Sequence, residues 1–287
     1  MPEGHTLHRL ALDLTDAFAG RPVRVGSPQG RFADSAALID GQTVLGAQAW
    51  GKHLFVEFTG ERYVHIHLGL YGKLAIGTYD AADGPPAPVG QVRLRLVGPP
   101  EPAPRYADLR GATACDLWTR GQRDACVARL GPDPLRDDAD PDRAWSRISR
   151  SRSPIGGLLM NQEVLAGVGN VYRAEVLFRH RIDPMRPGNT LRRAQWQAIW
   201  DDLVVLMHDG LAKNRIDTVR PEHTPEAMGR DPRRDDHGGE VYVYRRAGQP
   251  CHVCGRAIRT AELQARNLFW CPGCQRVYRP RTSLRTP

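Results

Sequence analysis

A chain of 287 residues is long enough for two or three domains with cores of their own, so length excludes little beyond the smallest stapled scaffolds. Lysine and arginine total 40 against 32 acids, and the formal charge of +8 points to a polyanionic partner such as nucleic acid or an anionic membrane surface, although only Lys52, Lys73 and Lys213 are lysines and codon bias also enriches arginine. No apolar run approaches the roughly 18 residues that span a bilayer, and no basic-then-apolar leader opens the chain, so the sequence predicts a soluble cytoplasmic protein without a membrane partner.

The chain opens Met1-Pro2-Glu3-Gly4-His5-Thr6. A small second residue permits removal of Met1, which exposes the secondary amine of Pro2. An α-amine titrates near pH ~8, so part of it is unprotonated and nucleophilic at neutral pH. Its attack on a sugar C1′ gives an iminium, a strong electron sink, with Glu3 placed to act as acid or base. The same residues also read as an ordinary helix start, with proline in the first turn followed by an acid. Leu7, Leu10, Ala11, Leu14 and Phe18 recur at helical spacing, and Gly20 and Pro22 end that helix.

From Val23 to Leu117 the pattern changes to short strand-like runs, His53 to Phe58, Tyr63 to His67 and Gln91 to Val97, broken by glycine and proline; this predicts a β-rich domain, a sandwich. Within it Gly51-Lys52-His53-Leu54-Phe55 carries one of the three lysines into a strand. Cys115 and Cys126 lack paired spacing and read as buried structural thiols. The stretch 131–142, with three prolines and five aspartates, has linker composition. Helical periodicity returns from Ala144 to Lys213, interrupted by Pro184 and Pro187. Residues 158–172 there read as a helix, glycine-rich turns and a second helix. Residues 216–240 are polar and nearly free of large apolar groups, which predicts a mobile loop rather than a packed element.

A terminal module begins near Val241. Cys251-His-Val-Cys254 and Cys271-Pro-Gly-Cys274 form C-x2-C-x16-C-x2-C, and four thiolates at this spacing suit one closed, structural Zn²⁺ site rather than an open catalytic one. So small a core needs a staple, and the metal supplies it. Four free thiols or two disulfides are the alternatives. His252 lies between ligands as a bystander. From Arg245 onward nine arginines stand against Glu262 alone, which suggests phosphate contacts from this hairpin.

Pro2-Glu3, Gly51-Lys52-His53, the run Leu158 to Tyr172, Ala265-Arg266-Asn267-Leu268-Phe269-Trp270 and the four cysteines, in this order, together resemble the formamidopyrimidine-DNA glycosylase and endonuclease VIII (Fpg/Nei) family. The opening PEGHT and the GLYG segment look more like the endonuclease VIII branch. The resemblance implies an α+β fold: an N-terminal β-sandwich with an N-terminal helix, a helix-two-turns-helix domain and a C-terminal β-hairpin zinc finger, with DNA in the cleft between them. The domains expected are 1–125, a linker at 126–143, the helical domain at 144–240 with its loop at 216–240, and the zinc finger at 241–287. A bifunctional DNA glycosylase and abasic-site lyase of base excision repair is implied, acting as a monomer on double-stranded DNA with oxidised bases or abasic sites and nicking it by β,δ-elimination.

By the same resemblance Pro2 is the Schiff-base nucleophile and Glu3 the acid/base assisting glycosidic cleavage. Lys52 matches the family lysine tied to proton transfer and phosphate contact; an isolated lysine is otherwise a solvated one. Arg266 matches the hairpin arginine that grips the phosphate beside the lesion. Asn170 matches the phosphate-binding asparagine, physically reasonable at a helix N-terminus, where an ordinary N-cap is the other reading. Arg129 matches a DNA-contacting arginine or is a plain linker residue. Leu70 and Tyr71 stand where the family fills the space left by a flipped nucleotide, or pack in a turn. His67 fits a phosphate contact or a satisfied interior histidine. The segment Asp108-Leu109-Arg110-Gly111-Ala112 has no aromatic wedge, and Gly69 replaces the glutamine of endonuclease VIII; the first departure favours oxidised pyrimidines over 8-oxoguanine. The rival reading is a non-catalytic zinc-finger protein that binds damaged or abasic DNA. It has no need of Pro2, Glu3 and Lys52 together.

Overall fold

Helix α1 (Gly4–Phe18) follows the apolar stripe predicted for it: Leu7, Ala11, Leu14 and Phe18 are buried, and the helix stops where Ala19 turns extended ahead of Gly20 at φ +76°. The computed structural model describes residues 2–234 and 239–279. Met1, the loop positions 235–238, and 280–287 with Arg281 and Arg285 of the basic run lie outside the described residues. The chain divides into two compact units, 1–135 and 136–287. No helix among the described residues is long and apolar enough to cross a membrane.

The first unit continues through β1 (Arg24–Gly26), α2 (Ala33–Ala37), β2 (Val44–Trp50), β3 (His53–Phe58), β4 (Arg62–His67), β5 (Lys73–Thr78), β6 (Val92–Val97), β7 (Arg105–Arg110) and β8 (Ala114–Thr119). Two antiparallel sheets, in the orders β1-β6-β7-β5 and β2-β3-β4-β8, form a sandwich. Alternation supplies its core: Leu54, Val56 and Phe58 of β3 and Val64 and Ile66 of β4 pack with Leu94, Leu96, Ala107 and Leu109 and with the buried stripe of α1.

The opposite face of β3 and β4 is buried as well. Helix α3 (Arg120–Arg129), begun by a capping box of Thr119 and Gln122, lays Cys126 and Val127 over Phe55 and Tyr63. The boundary expected at 125/126 therefore falls inside a helix. The segment read as a linker also stays packed as far as Leu135, because Leu130, Asp133 and Leu135 are buried among its prolines and acids.

The second unit holds α4 (Pro141–Ile148), α5 (Ile155–Leu158), α6 (Asn170–Arg179), α7 (Arg193–Lys213), α8 (Pro225–Met228) and a hairpin of β9 (Arg259–Leu263) and β10 (Arg266–Trp270). Asp140 caps α4, and α7 ends on Asn214 at φ +52°. The helix expected from Leu158 is only the four residues of α5. Asn161 then accepts from the Glu163 N–H at 3.0 Å, a local turn that competes with helix.

The described part of 216–240 is not the structureless loop its composition suggests. It contains α8 and a 3-10 turn at Pro221–His223. The Glu175 carboxylate of α6, fully buried, accepts from the Thr218 hydroxyl at 2.6 Å and from the backbone N–H groups of Tyr242, Val243 and Tyr244 at 2.7 to 2.8 Å, which pins both ends of the segment. Four donors on one carboxylate are a feature that segment composition does not register.

Candidate functional site

Pro2 is half-buried directly before α1, and Glu3, the N-cap residue, is 0% exposed, its carbonyl accepting from the Thr6 N–H at 3.0 Å. His5, in the first turn, is buried too, and burial pushes its imidazole down to about 4, so it is neutral at ordinary pH. Lys52 lies half-exposed in the turn between β2 and β3, close enough to His67 at the end of β4 to depress that histidine further after burial has lowered it.

His67 belongs to a row. The His53 Nδ1 and His65 Nε2 atoms lie 2.9 Å apart, one donating to the other, and the His53 ring meets that of His67 edge-on at 5.3 Å. The His65 ring stacks on Trp118 at 3.8 Å. Burial, with help from the neighbouring histidines, pushes His53 and His65 each down to about 4. Lys52 thus stands beside an imidazole whose charged form burial disfavours. Neither sequence reading of His67 covered this row, although three histidines at alternate positions of adjacent strands were visible as a pattern.

Leu70 and Tyr71 are not packed in the turn. They are 45% and 83% exposed. The turn depends on its flanking glycines: Gly69 sits at φ +66° with a Cβ there only 1.9 Å from the Thr113 hydroxyl, and a Cβ on Gly72 would meet the Leu68 carbonyl oxygen at 2.3 Å. Arg129 ends α3, exposed, near Cys126 and His53. Asp108 lies in regular strand β7, its carboxylate held by Arg95 at 2.8 Å and Arg110 at 2.9 Å.

In the second unit Asn170 is not the N-cap of α6. Gly169 is, and Asn170, buried, donates from Nδ2 to the Asn267 carbonyl of β10 at 2.9 Å. Arg173, one turn on and buried, donates to the same carbonyl at 3.2 Å and to the Asn170 side-chain oxygen. The helix start is therefore tied to the hairpin residue that follows Arg266. Arg266 is exposed and comes directly after a tight turn in which Gln264 and Ala265 both have positive φ, the pairing of a two-residue hairpin loop.

The four cysteines form a cluster whose sulfurs all lie within 4.8 Å of one another. Cys251 to Cys274 is 3.8 Å and Cys254 to Cys271 is 3.4 Å, too long for disulfides at about 2.05 Å and close to the ~3.8 Å edge of a tetrahedron with ~2.3 Å zinc–sulfur bonds. Burial pushes the Cys251 thiol up to about 11 and raises that of Cys274. Four thiolates in this space need a cation. Backbone N–H groups of Val253 and Cys274 also donate to Cys251 and Cys271 sulfur. These residues fit one structural zinc. Cys115 and Cys126 are buried and outside the cluster.

One functional candidate escaped the sequence altogether. Asp133, from the stretch read as linker, is 3% exposed, and its carboxylate accepts from His8 Nε2 of α1 at 2.8 Å, from the Gly51 N–H at 2.7 Å and from the Leu135 N–H at 3.0 Å.

Three family models match the chain: the formamidopyrimidine-DNA glycosylase N-terminal domain over residues 1–115, the formamidopyrimidine-DNA glycosylase H2TH domain over 130–220, and the zinc finger found in FPG and IleRS over 248–277. A Mycobacterium tuberculosis protein named Endonuclease 8 1 is 55% identical over 278 residues, covering 96% of this chain and 100% of its own. A formamidopyrimidine-DNA glycosylase of Photorhabdus laumondii is 30% identical over 254 residues, 88% of this chain and 90% of its own. Among solved structures, the Lactococcus lactis formamidopyrimidine-DNA glycosylase bound non-covalently to DNA with an AP site matches at a TM-score of 0.75 and 21% identity, over 96% of this chain and 100% of that one. The MutM (Fpg) protein of Thermus thermophilus matches at 0.71 and 24%, over 96% and 98%. Both structures share the fold.

Proposed function

The chain belongs to the formamidopyrimidine-DNA glycosylase/endonuclease VIII family, and from that premise we propose that Pro2 is the nucleophile of its reaction. The protein is a DNA glycosylase and abasic-site lyase of base excision repair, with one structural zinc and damaged double-stranded DNA as its partner. With Met1 removed, the Pro2 nitrogen attacks C1′ of the damaged nucleotide. The C1′–N bond to the base breaks and its electron pair leaves with the base, then the C1′–O4′ bond opens as the Pro2 nitrogen lone pair forms the C=N bond; the protons that the base and O4′ take up come from the Pro2 amine and through Glu3.

The product is an iminium between Pro2 and C1′. Loss of a C2′ proton then expels the 3′ phosphate, and a second elimination expels the 5′ phosphate. Lys52 contacts phosphate and carries protons in the first elimination, and Arg266 grips the phosphate beside the lesion for the second. Asn170, His67 and Arg129 contact the backbone. Leu70 and Tyr71 enter the stack when the nucleotide is turned out; their exposure on a glycine-framed turn supports this.

The observation that carries the reading is the front of α1. A fully buried glutamate follows the proline immediately, shielded from water, where it can exchange a proton with whatever Pro2 holds. The lack of an aromatic in 108–112 and the endonuclease VIII relatives support oxidised pyrimidines as preferred bases. DNA binding supports a cytoplasmic, nucleoid-associated location.

Borohydride reduces an iminium to a stable amine, so the mature protein should be trapped on a duplex carrying thymine glycol. A variant that retains Met1 should form no adduct. Trapping of that variant at the mature rate would reject Pro2 as the nucleophile.

A further inference from the structure

We propose that Asp133 is a positioning residue that sets Lys52 against the Pro2 end of α1. This deepens the reading of Pro2 and Lys52 given above and rests on it. The carboxylate is buried and engaged on both oxygens: Oδ2 takes both the His8 Nε2–H and the Gly51 N–H, and Oδ1 takes the Leu135 N–H. Each donor belongs to a different piece of the first unit. His8 lies on α1, six residues beyond Pro2, and a helix is stiff over that distance. Gly51 is buried at φ +58° and immediately precedes Lys52. Fixing its amide therefore fixes the path by which Lys52 leaves the turn. Leu135, itself buried, anchors the acid's own segment to the unit.

A carboxylate with three directed partners is costly to bury and holds geometry better than apolar packing does. Packing alone would seat α1 on β2 with some latitude along the helix axis. The shared Oδ2 removes that latitude, because a slide of α1 relative to the Gly51 turn breaks one of its two bonds. Steps in which an amine attacks C1′ and a neighbouring lysine moves a proton are sensitive to such slides; a misplacement of about an ångström costs up to ~10²-fold. Asp133 touches neither substrate nor the reacting atoms, and acts through His8 and Gly51.

The test uses the full-length zinc-loaded protein and a duplex with a preformed abasic site. Single-turnover rates of borohydride trapping and of strand nicking, each per active molecule, are compared with affinity for the uncleavable tetrahydrofuran duplex. In Asp133→Asn, whichever way the amide is turned, an NH2 faces a donor. The expected result is a loss of about ten- to a hundredfold in both rates, with affinity within about twofold of the parent. His8→Ala should lose several-fold, and His8→Gln, whose amide N–H stands where the imidazole Nε2–H stood, should recover most of it.

A merely structural role would lower active fraction and affinity together and leave the rate per active molecule unchanged. That outcome, or His8→Gln performing no better than His8→Ala, overturns the proposal. If Asp133→Asn does not fold, the His8 pair decides it. Failure of the parent protein to trap at all would instead reject the Pro2 chemistry, whereas parent-like trapping by both Asp133→Asn and His8→Ala would reject the positioning role alone.

Discussion

The two units keep their polar groups in order by opposite means. The first sets buried polar groups singly by packing and hydrogen bonds, Glu3 and Asp133 beside an apolar core shared by a helix and two sheets, and His65 on the opposite face of β4 against Trp118. The hairpin of the second has little core of its own: four of the five residues of β9 are exposed, and Ile258, Leu268 and Phe269 are the main apolar groups it buries. There the four cysteines stand in for a core. Placement of a charge by packing tolerates the loss of any one apolar contact; placement by a metal does not tolerate the loss of the metal.

The largest consequence should therefore follow zinc removal. Structural zinc contributes on the order of 10–16 kcal/mol to small modules of this kind. Cys271→Ser, or a strong chelator, should release the metal, unfold residues 248–277 and abolish tight DNA binding. The calorimetric transition of the sandwich should stay where it was. Hydrogen exchange reads the two units separately, and hairpin amides that remain protected in zinc-free protein would show that the module has a core after all.

A second, smaller effect sharpens the contrast within the second unit. Glu175 gathers four donors without any metal, and in Glu175→Gln the amide presents an NH2 to at least one of them. Leaving a buried donor without an acceptor costs about 1–3 kcal/mol. The expected reading is a lower denaturation midpoint and faster proteolysis within 219–234, with zinc content unchanged. A parent-like cleavage rate would mean that the ends of that segment are held by something other than this carboxylate.

What the sequence made legible follows the same division. Periodicity disclosed α1 and β6, whose burial repeats at helix or strand spacing, whereas β3 and β4, buried on both faces, were disclosed as short apolar runs bounded by glycine. Cysteine spacing disclosed the metal site because its ligands are close in the chain. Asp133 and Glu175 were illegible for a common reason. Their partners lie 82 or more and 43 or more residues away, apart from Leu135, and nothing in a local window marks an acid that will be buried. The prolines and aspartates of 131–142 argued for a solvated linker, and its one large apolar residue, Leu135, with Leu130 just before the stretch, was too little to form a periodic signal. Pro2, Lys52 and Arg266 were read from the family resemblance, since alone each has an ordinary local explanation.

The smallest expected effect separates the units by pH. An unfolded imidazole takes its proton near pH ~6.5, whereas folded His65 does not until about 4, because burial and the neighbouring His67 disfavour the charge. Between those values the unfolded chain binds more protons, so this group's contribution to the sandwich falls as pH drops from 6.5 and levels off below 4. His65→Phe keeps a ring against Trp118 without the titration, and should flatten that acid slope. Asp202 of α7 works in a lower window. Burial alone would raise it, but hydrogen bonds from His180 and Arg179 outweigh burial and hold it at about 2, so its contribution is intact above about 4 and is lost only as pH falls toward 2. Acid should therefore weaken the sandwich, where His5, His53 and His65 are all depressed to about 4, more steeply between pH 6.5 and 4 than the second unit, where His252 shares that depression, and thermal melts followed at pH 7, 5 and 3 test the order. A His65→Phe protein with the parent's slope between pH 6.5 and 4 would show that the histidine row is not what makes the sandwich the acid-sensitive half.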